Sequence, residues 1–228
     1  MPVSGAEGAG VLELFSSEGC SSCPPAEIVA NALERDALAR HENLNVLVFP
    51  VDYWDSLGWK DPFASPDFTA RQADYARALG LRQVFTPQAI VNGAVSLVGA
   101  QEHALRQALE RARGQALPTQ VTLSARWRDG RCHLAVLLSG APAGAEVAIA
   151  LTERGLVSAV AAGENAGRTL VHAPIVRAFQ VVSAGARLDD LVLTPPAGLV
   201  HERSGITVLV QDVVTRRVLG VGSTHISE

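Results

Sequence analysis

The hydrophobic period of this 228-residue chain changes once, near Leu117, and no other feature constrains its fold as strongly. Before that point, short apolar runs alternate with stretches of helical spacing. Residues 11–15 read as a buried strand; from about Pro25, Ile28, Val29, Ala32, Leu33 and Leu38 mark one side of a helix. Residues 45–51 form a second apolar run. Ser65-Pro66-Asp67 opens another helix, with Ser as N-cap and Pro in first position; Phe68, Ala76 and Leu79 are its apolar residues, and Gly80 is its stop. Residues 89–91 and 95–98 flank Asn92-Gly93, a pair that tolerates positive φ and favours a hairpin. Helical spacing returns over 101–113. The order β-α-β-α-β-β-α predicts parallel strands joined by helical crossovers, with an antiparallel hairpin added.

Beyond Leu117 the period is two. Val121, Leu123, Ala125 and Trp127 alternate with Thr122, Ser124, Arg126 and Arg128, and Asp129-Gly130 turns the chain into residues 132–138. Further strands are expected near 146–152, 169–182, 206–212 and 218–224. The expectation is an α/β domain over residues 10–116, then a β-rich, sandwich-like antiparallel domain over 118–228.

Composition narrows the function classes. The chain is 48% hydrophobic and 18% charged, with a net charge of −4 and Lys60 as its only lysine. No basic block is interleaved with aromatic residues, so nucleic acid is not an expected partner. No apolar run approaches the roughly 18 residues of a transmembrane segment. The first ten residues lack a charged n-region and an apolar h-region, so they do not read as a signal peptide. A cytoplasmic location is expected if the chain is full length, a periplasmic or secreted one if an export signal preceded it.

Three cysteines do not make a disulfide framework in a chain of this size. Cys20 and Cys23 stand at i and i+3, after the first strand and at the mouth of the first helix. Pro24 and Pro25 confine them to the helix entrance, because proline is tolerated only where its missing N–H has no intrahelical partner. Helix-start amides favour a thiolate there, which predicts an exposed, attacking Cys20 and a resolving Cys23. Glu18 and Glu27 would oppose that effect if they approach the sulfur. A zinc site is disfavoured: there is no second CxxC, and His41, His103 and Cys132 would have to be recruited one by one. Cys132 is in phase with Leu134, Val136 and Leu138 and reads as a small core residue.

Two further groups stand out. Asp52-Tyr53-Trp54-Asp55 and Trp59-Lys60-Asp61 form an irregular insert after the second strand, on the same sheet edge as the cysteines. It reads as a wall of a substrate groove, with Asp52 a proton acceptor for the resolving thiol, or equally as a packed cap. Glu164, Arg168 and His172 read as a hydrogen-bonded structural corner of the second domain or, alternatively, as a polar cluster that faces the first.

The element order, with CxxC after the first strand and Thr86-Pro87 before the third, resembles the thioredoxin superfamily. That resemblance implies a cis peptide bond at Thr86-Pro87 facing the cysteines and a backbone there that pairs with a bound substrate chain; the residues alone also admit an ordinary trans bond opening a strand. The runs Glu13 to Ala26, Val51 to Phe63, Phe68-Thr-Ala-Arg-Gln72, Thr86 to Gly93 and Gly163 to Leu170, with His172 and Arg177, resemble the DUF1223 family. This resemblance implies a thioredoxin-like domain followed by a β-rich one, in bacterial proteins that are often exported.

The leading expectation is a thiol–disulfide oxidoreductase or exchange protein that uses Cys20, Cys23, Thr86, Pro87 and Asp52. It would act on a protein or small-molecule thiol or disulfide, without an organic cofactor. The alternatives are a protein binding a soft metal such as Cu(I) through the same cysteines, and a binding protein with a static disulfide.

Overall fold

The computed structural model describes residues 8–185 and 187–227. The reading of residues 1–7 as lacking an export signal lies outside them, as do positions 186 and 228 of the expected second domain.

The first half contains β1 (Gly10–Ser16), α1 (Pro24–Arg40), β2 (Leu44–Pro50), α2 (Pro66–Ala78), β3 (Gln88–Val91), β4 (Val95–Val98) and α3 (Glu102–Arg113), with a 3-10 turn over Asp52–Leu57. The second half follows as β5 (Gln120–Arg128), β6 (Arg131–Ser139), β7 (Glu146–Glu153), β8 (Val157–Ala159), β9 (Thr169–Val171), β10 (Ile175–Ser183), β11 (Leu191–Leu193), β12 (Ser204–Gln211) and β13 (Val218–His225). The fold is mixed α/β, built on one large sheet with few helices.

β1 is buried along its whole length, and its alternate residues serve two layers. Leu12 and Leu14 pack with Val29, Leu33, Leu105 and Leu109 of α1 and α3; Val11 and Phe15 pack with Phe68 and Tyr75 of α2. The strand runs parallel to β2 and antiparallel to β3. Ser65 caps α2 by accepting a hydrogen bond from the Asp67 amide, and Pro66 takes the first turn. At the β3–β4 hairpin, Asn92 and Gly93 both have positive φ, 46° and 65°. A Cβ on Gly93 would lie 1.9 Å from the Arg216 carbonyl oxygen, so the close approach of the β12–β13 turn requires glycine there.

The eight strands of the large sheet run in the order β13-β12-β7-β10-β2-β1-β3-β4. Its outer half is therefore made by strands from beyond Leu117. The seam is narrow: β10 meets β2 in parallel at Ile175–Val48, where the Val48 amide donates to the Pro174 carbonyl (2.8 Å). The strand expected over 169–182 is broken in two. Pro174 has no N–H to continue a ladder, so β9 pairs only with β8 and β10 starts afresh. β5, β6 and β11 form a separate three-stranded sheet, and its Val121, Leu134 and Val136 share a core with Val147, Ile149 and Val208 of β7 and β12.

α1 shows a second difference. Its buried face is Ala26, Val29, Ala30, Leu33 and Ala37, whereas Ile28 and Leu38 are 68% and 63% exposed. The alanines weigh little in hydrophobicity but let the helix lie close to the sheet.

On the other face of the sheet, Glu13 of β1 is fully buried. Arg71 of α2 grips it with two hydrogen bonds (2.5 and 3.0 Å) and donates to Tyr75 Oη (3.0 Å) and Gln211 Oε1 (2.9 Å). The Arg71 guanidinium also stands over the Phe179 ring at 4.8 Å. This network crosses from the first half into β10 and β12.

Candidate functional site

Cys20 and Cys23 are joined as a disulfide at the entrance of α1, with Cα atoms 5.4 Å apart, and Cys23 is the helix N-cap. Proline at 24 and 25 leaves no amide in need of a partner in the first turn. The site faces the loop before β3. There the Thr86–Pro87 bond is cis, and the Thr86 hydroxyl donates to Cys20 Sγ at 3.3 Å. The Thr86 oxygen in turn accepts from Trp54 Nε1 (2.8 Å), and the Ser22 hydroxyl lies 3.2 Å from Cys20 Sγ. The structure thus brings together four of the five residues singled out for chemistry.

Asp52 is engaged elsewhere. Its carboxylate accepts from the Thr69 hydroxyl (2.6 Å) on α2, and it is not among the residues lining the cavity beside Cys23.

The expectation of an exposed first sulfur is corrected. Cys20 is 0% exposed and Cys23 1%. Thr86 and Trp54 cover the sulfur from the first half, and the rest of the cover comes from beyond Leu117, outside the reach of a helix-entrance argument. Asn165, fully buried, donates from Nδ2 to the carbonyls of Glu18 (2.8 Å) and Cys20 (2.9 Å). Glu164 accepts from the Ser21 amide (2.9 Å), which holds its carboxyl below the usual range. Ser21 and Ser22 alone remain exposed between the cysteines.

Beneath this cover sits a buried acid–base cluster. His172 Nε2 lies 3.1 Å from the Ser158 hydroxyl and 3.2 Å from Glu18 Oε1, the latter out of line for a hydrogen bond; its Nδ1 is 3.7 Å from Glu27 Oε2. Burial alone would lower the His172 pKa, but the two carboxylates outweigh it and push it up to about 9. Burial pulls Glu18 upward, yet His172, Ser158 and Trp59 hold it below its ordinary value. Trp59 Nε1 donates to Glu18 Oε2 at 2.7 Å. Glu27 accepts from the Ser16 hydroxyl (2.9 Å) and the Ala173 amide (3.1 Å). Asp61, pushed up to about 6 by burial, accepts from the Glu18 amide at 2.8 Å. Both tryptophans of the irregular insert therefore point into the cysteine segment.

The sequence presents Glu18 and Glu27 only as neighbours of the cysteines; of the two readings of the His172 cluster, the one in which it faces the first domain matches its contacts with Glu18 and Glu27. The signal was present in Glu27, an acid at i+4 from Cys23 on the helix face that Ala26, Val29 and Ala30 bury. Asn165 is marked in the sequence only as part of the Gly163 to Leu170 run that carries the family resemblance. Cys132 is buried, and burial pushes its thiol up to about 11. Among the described residues, no group of three or more His, Cys, Asp and Glu side chains is arranged to hold a metal ion, and no helix is long and apolar enough to cross a membrane.

A family model described as a protein of unknown function, DUF1223, matches residues 11–211. The chain belongs to the DUF1223 family. Among solved structures, this DUF1223 chain is similar to protein AGR_C_4864 from Agrobacterium tumefaciens, with 29% identity, a TM-score of 0.65 and coverage of 95% of this chain and 94% of that one. It is also similar to HBP35 of Porphyromonas gingivalis, with 11% identity, a TM-score of 0.64 and coverage of 96% and 76%; this second likeness concerns the fold alone. No curated protein matches the DUF1223 chain.

Proposed function

We propose that this protein carries out thiol–disulfide exchange through Cys20 and Cys23, with Thr86 and Pro87 as the facing wall. In this reading residues 10–116 are a thioredoxin-like domain and 118–228 a β-rich, sandwich-like domain that covers the reactive bond. The observation that carries it is the disulfide at a helix entrance with the Thr86 hydroxyl 3.3 Å from Cys20 Sγ. A sulfur leaving as thiolate would find that hydroxyl and the helix-start dipole already in place. In this reading Glu27, which lines the same cavity as Cys23, takes the Cys23 proton in place of Asp52.

The test is a dithiothreitol redox titration paired with insulin reduction. Reversible two-electron titration with turnover that Cys20→Ser abolishes supports the reading. A second reading has its own observation, since both sulfurs are buried: a static disulfide in a binding protein. A bond that persists in a reducing glutathione buffer would favour it over exchange.

A further inference from the structure

The irregular insert after β2 meets the disulfide through Trp54 rather than through Asp52. Asp52 fixes the start of the 3-10 turn against α2: its amide donates to the Thr69 hydroxyl (3.2 Å), which donates back to its carboxylate (2.6 Å). Two residues on, Trp54 Nε1 donates to the Thr86 oxygen at 2.8 Å, and the Thr86 hydroxyl donates to Cys20 Sγ at 3.3 Å. An indole N–H only donates, so the sense of the first bond is fixed. With its oxygen accepting from Trp54, the Thr86 hydroxyl cannot point its proton at the indole, and the proton is left for the sulfur. Gly19, beside Cys20, makes room for the ring. A Cβ there would stand 3.2 Å from Trp54 Cβ, inside ordinary carbon–carbon contact. The Ser22 hydroxyl, 3.2 Å from the same sulfur, sits on an exposed residue and is free to turn to solvent.

We propose that Trp54 is a positioning residue for Cys20: its indole N–H holds the Thr86 hydroxyl in an orientation whose proton points at the sulfur. The inference rests on the exchange reading above and adds what regulates the acidity of its attacking thiol. In the reduced protein the Cys20 thiol gives its proton to solvent, and the electron pair stays on Sγ. A sulfur anion accepts a hydrogen bond far more strongly than a neutral sulfur, so a hydroxyl already turned toward it favours the ionised form. Without the indole N–H, the Thr86 proton has a competing acceptor in Tyr53 Oη, which lies beside it and itself donates to Gln72 Oε1 (3.2 Å). The other titratable groups around Cys20 are Cys23, Glu164 on the Ser21 amide, and Glu18, whose carboxylate is turned to His172 and Trp59. All of them remain when the indole N–H is removed, so a change in Cys20 acidity reports the Thr86 hydroxyl.

The experiment reduces the full-length chain with tris(carboxyethyl)phosphine and follows thiolate absorbance in the ultraviolet against pH, with the oxidised chain as blank. Cys132, held up to about 11 by burial, titrates above the Cys20 step, and that step should vanish in Cys20→Ser. Thr86→Val should raise the midpoint of the step by about one pH unit, tenfold in the thiolate equilibrium. Trp54→Phe should raise it by at least about half a unit, or threefold. The double variant should match Thr86→Val alone, because Trp54 acts only through that hydroxyl. A wild-type midpoint in either single variant overturns the proposal. So does a Trp54→Phe rise that persists undiminished in the Thr86→Val background, which loss of ring packing would produce, or a step that survives Cys20→Ser. Thr86→Val keeps the test decisive if Trp54→Phe fails to fold. Failure of the exchange reading is separable: the wild type would then resist dithiothreitol and leave insulin intact, whereas phosphine opens the bond for this titration in either case.

Discussion

His172 lies between Glu18 and Glu27, and its proton is retained to about pH 9 although burial opposes the charge. Because that value exceeds the ordinary 6.5, the stabilisation is complete below pH 6.5 and is lost as pH rises through 9. The shift corresponds to about 3 kcal/mol as an upper bound, read by urea denaturation at pH 6.5 and 9.5. His172→Gln should start lower at pH 6.5 and lack the step; an unchanged pH slope in the variant would show that the charge resides elsewhere. Asn165 makes a second point at this scale. Asn165→Ala strands the carbonyls of Glu18 and Cys20, at a cost of about 1–3 kcal/mol. It should also speed reduction of the disulfide by dithiothreitol several-fold, because the cover loosens; a wild-type rate would mean that Asn165 does not gate the bond. Neither residue was legible as part of the site from local pattern, since Asn165 reaches Cys20, and His172 reaches Glu18 and Glu27, from more than 140 positions away.

Among the elements, α1 separates what a sequence displays from what packing selects. Counting large apolar residues favours a stripe through Ile28, Val29, Leu33 and Leu38, and only the middle two are buried. The real face is set by three alanines that allow close approach to β1, a term absent from hydrophobicity scales. Leu33→Ala should therefore cost about 2–5 kcal/mol by chemical denaturation. Leu38→Ser should change stability by less than about 0.5 kcal/mol, and a larger loss would mean that this face is covered in solution. Elements with local signals were readable: the proline-led start of α2, the Asn92-Gly93 turn and the alternation of β5 all depend on residues within one element. The break at Pro174 was missed because β10 takes its partners from β2 and β7, which no local window contains.

Across the whole molecule, the two sequence halves share one sheet and one buried ion network. Neither follows from periodicity, which sets the faces of a strand but not its neighbours. With Arg71 and Tyr75 bonded to both Glu13 and Gln211, and Ala173 bonded to Glu27, unfolding of one half strands charges in the other. Calorimetry should show a single transition with equal calorimetric and van't Hoff enthalpies; two resolved transitions would count against this coupling. Arg71→Ala should cost about 3–5 kcal/mol and lower that one transition as a unit, because it leaves Glu13 buried and uncompensated.

The placement of the three tryptophans has an optical consequence. Trp54 is a single hydroxyl removed from Cys20 Sγ and Trp59 is bonded to Glu18, whereas Trp127 stacks on His201 in the separate sheet, ring centroids 3.9 Å apart. The protein thus holds its own fluorescent reporter of the sulfur–sulfur bond beside an internal reference. Opening of the bond should alter the emission of the wild type and leave a Trp54→Phe, Trp59→Phe double variant dark to the change.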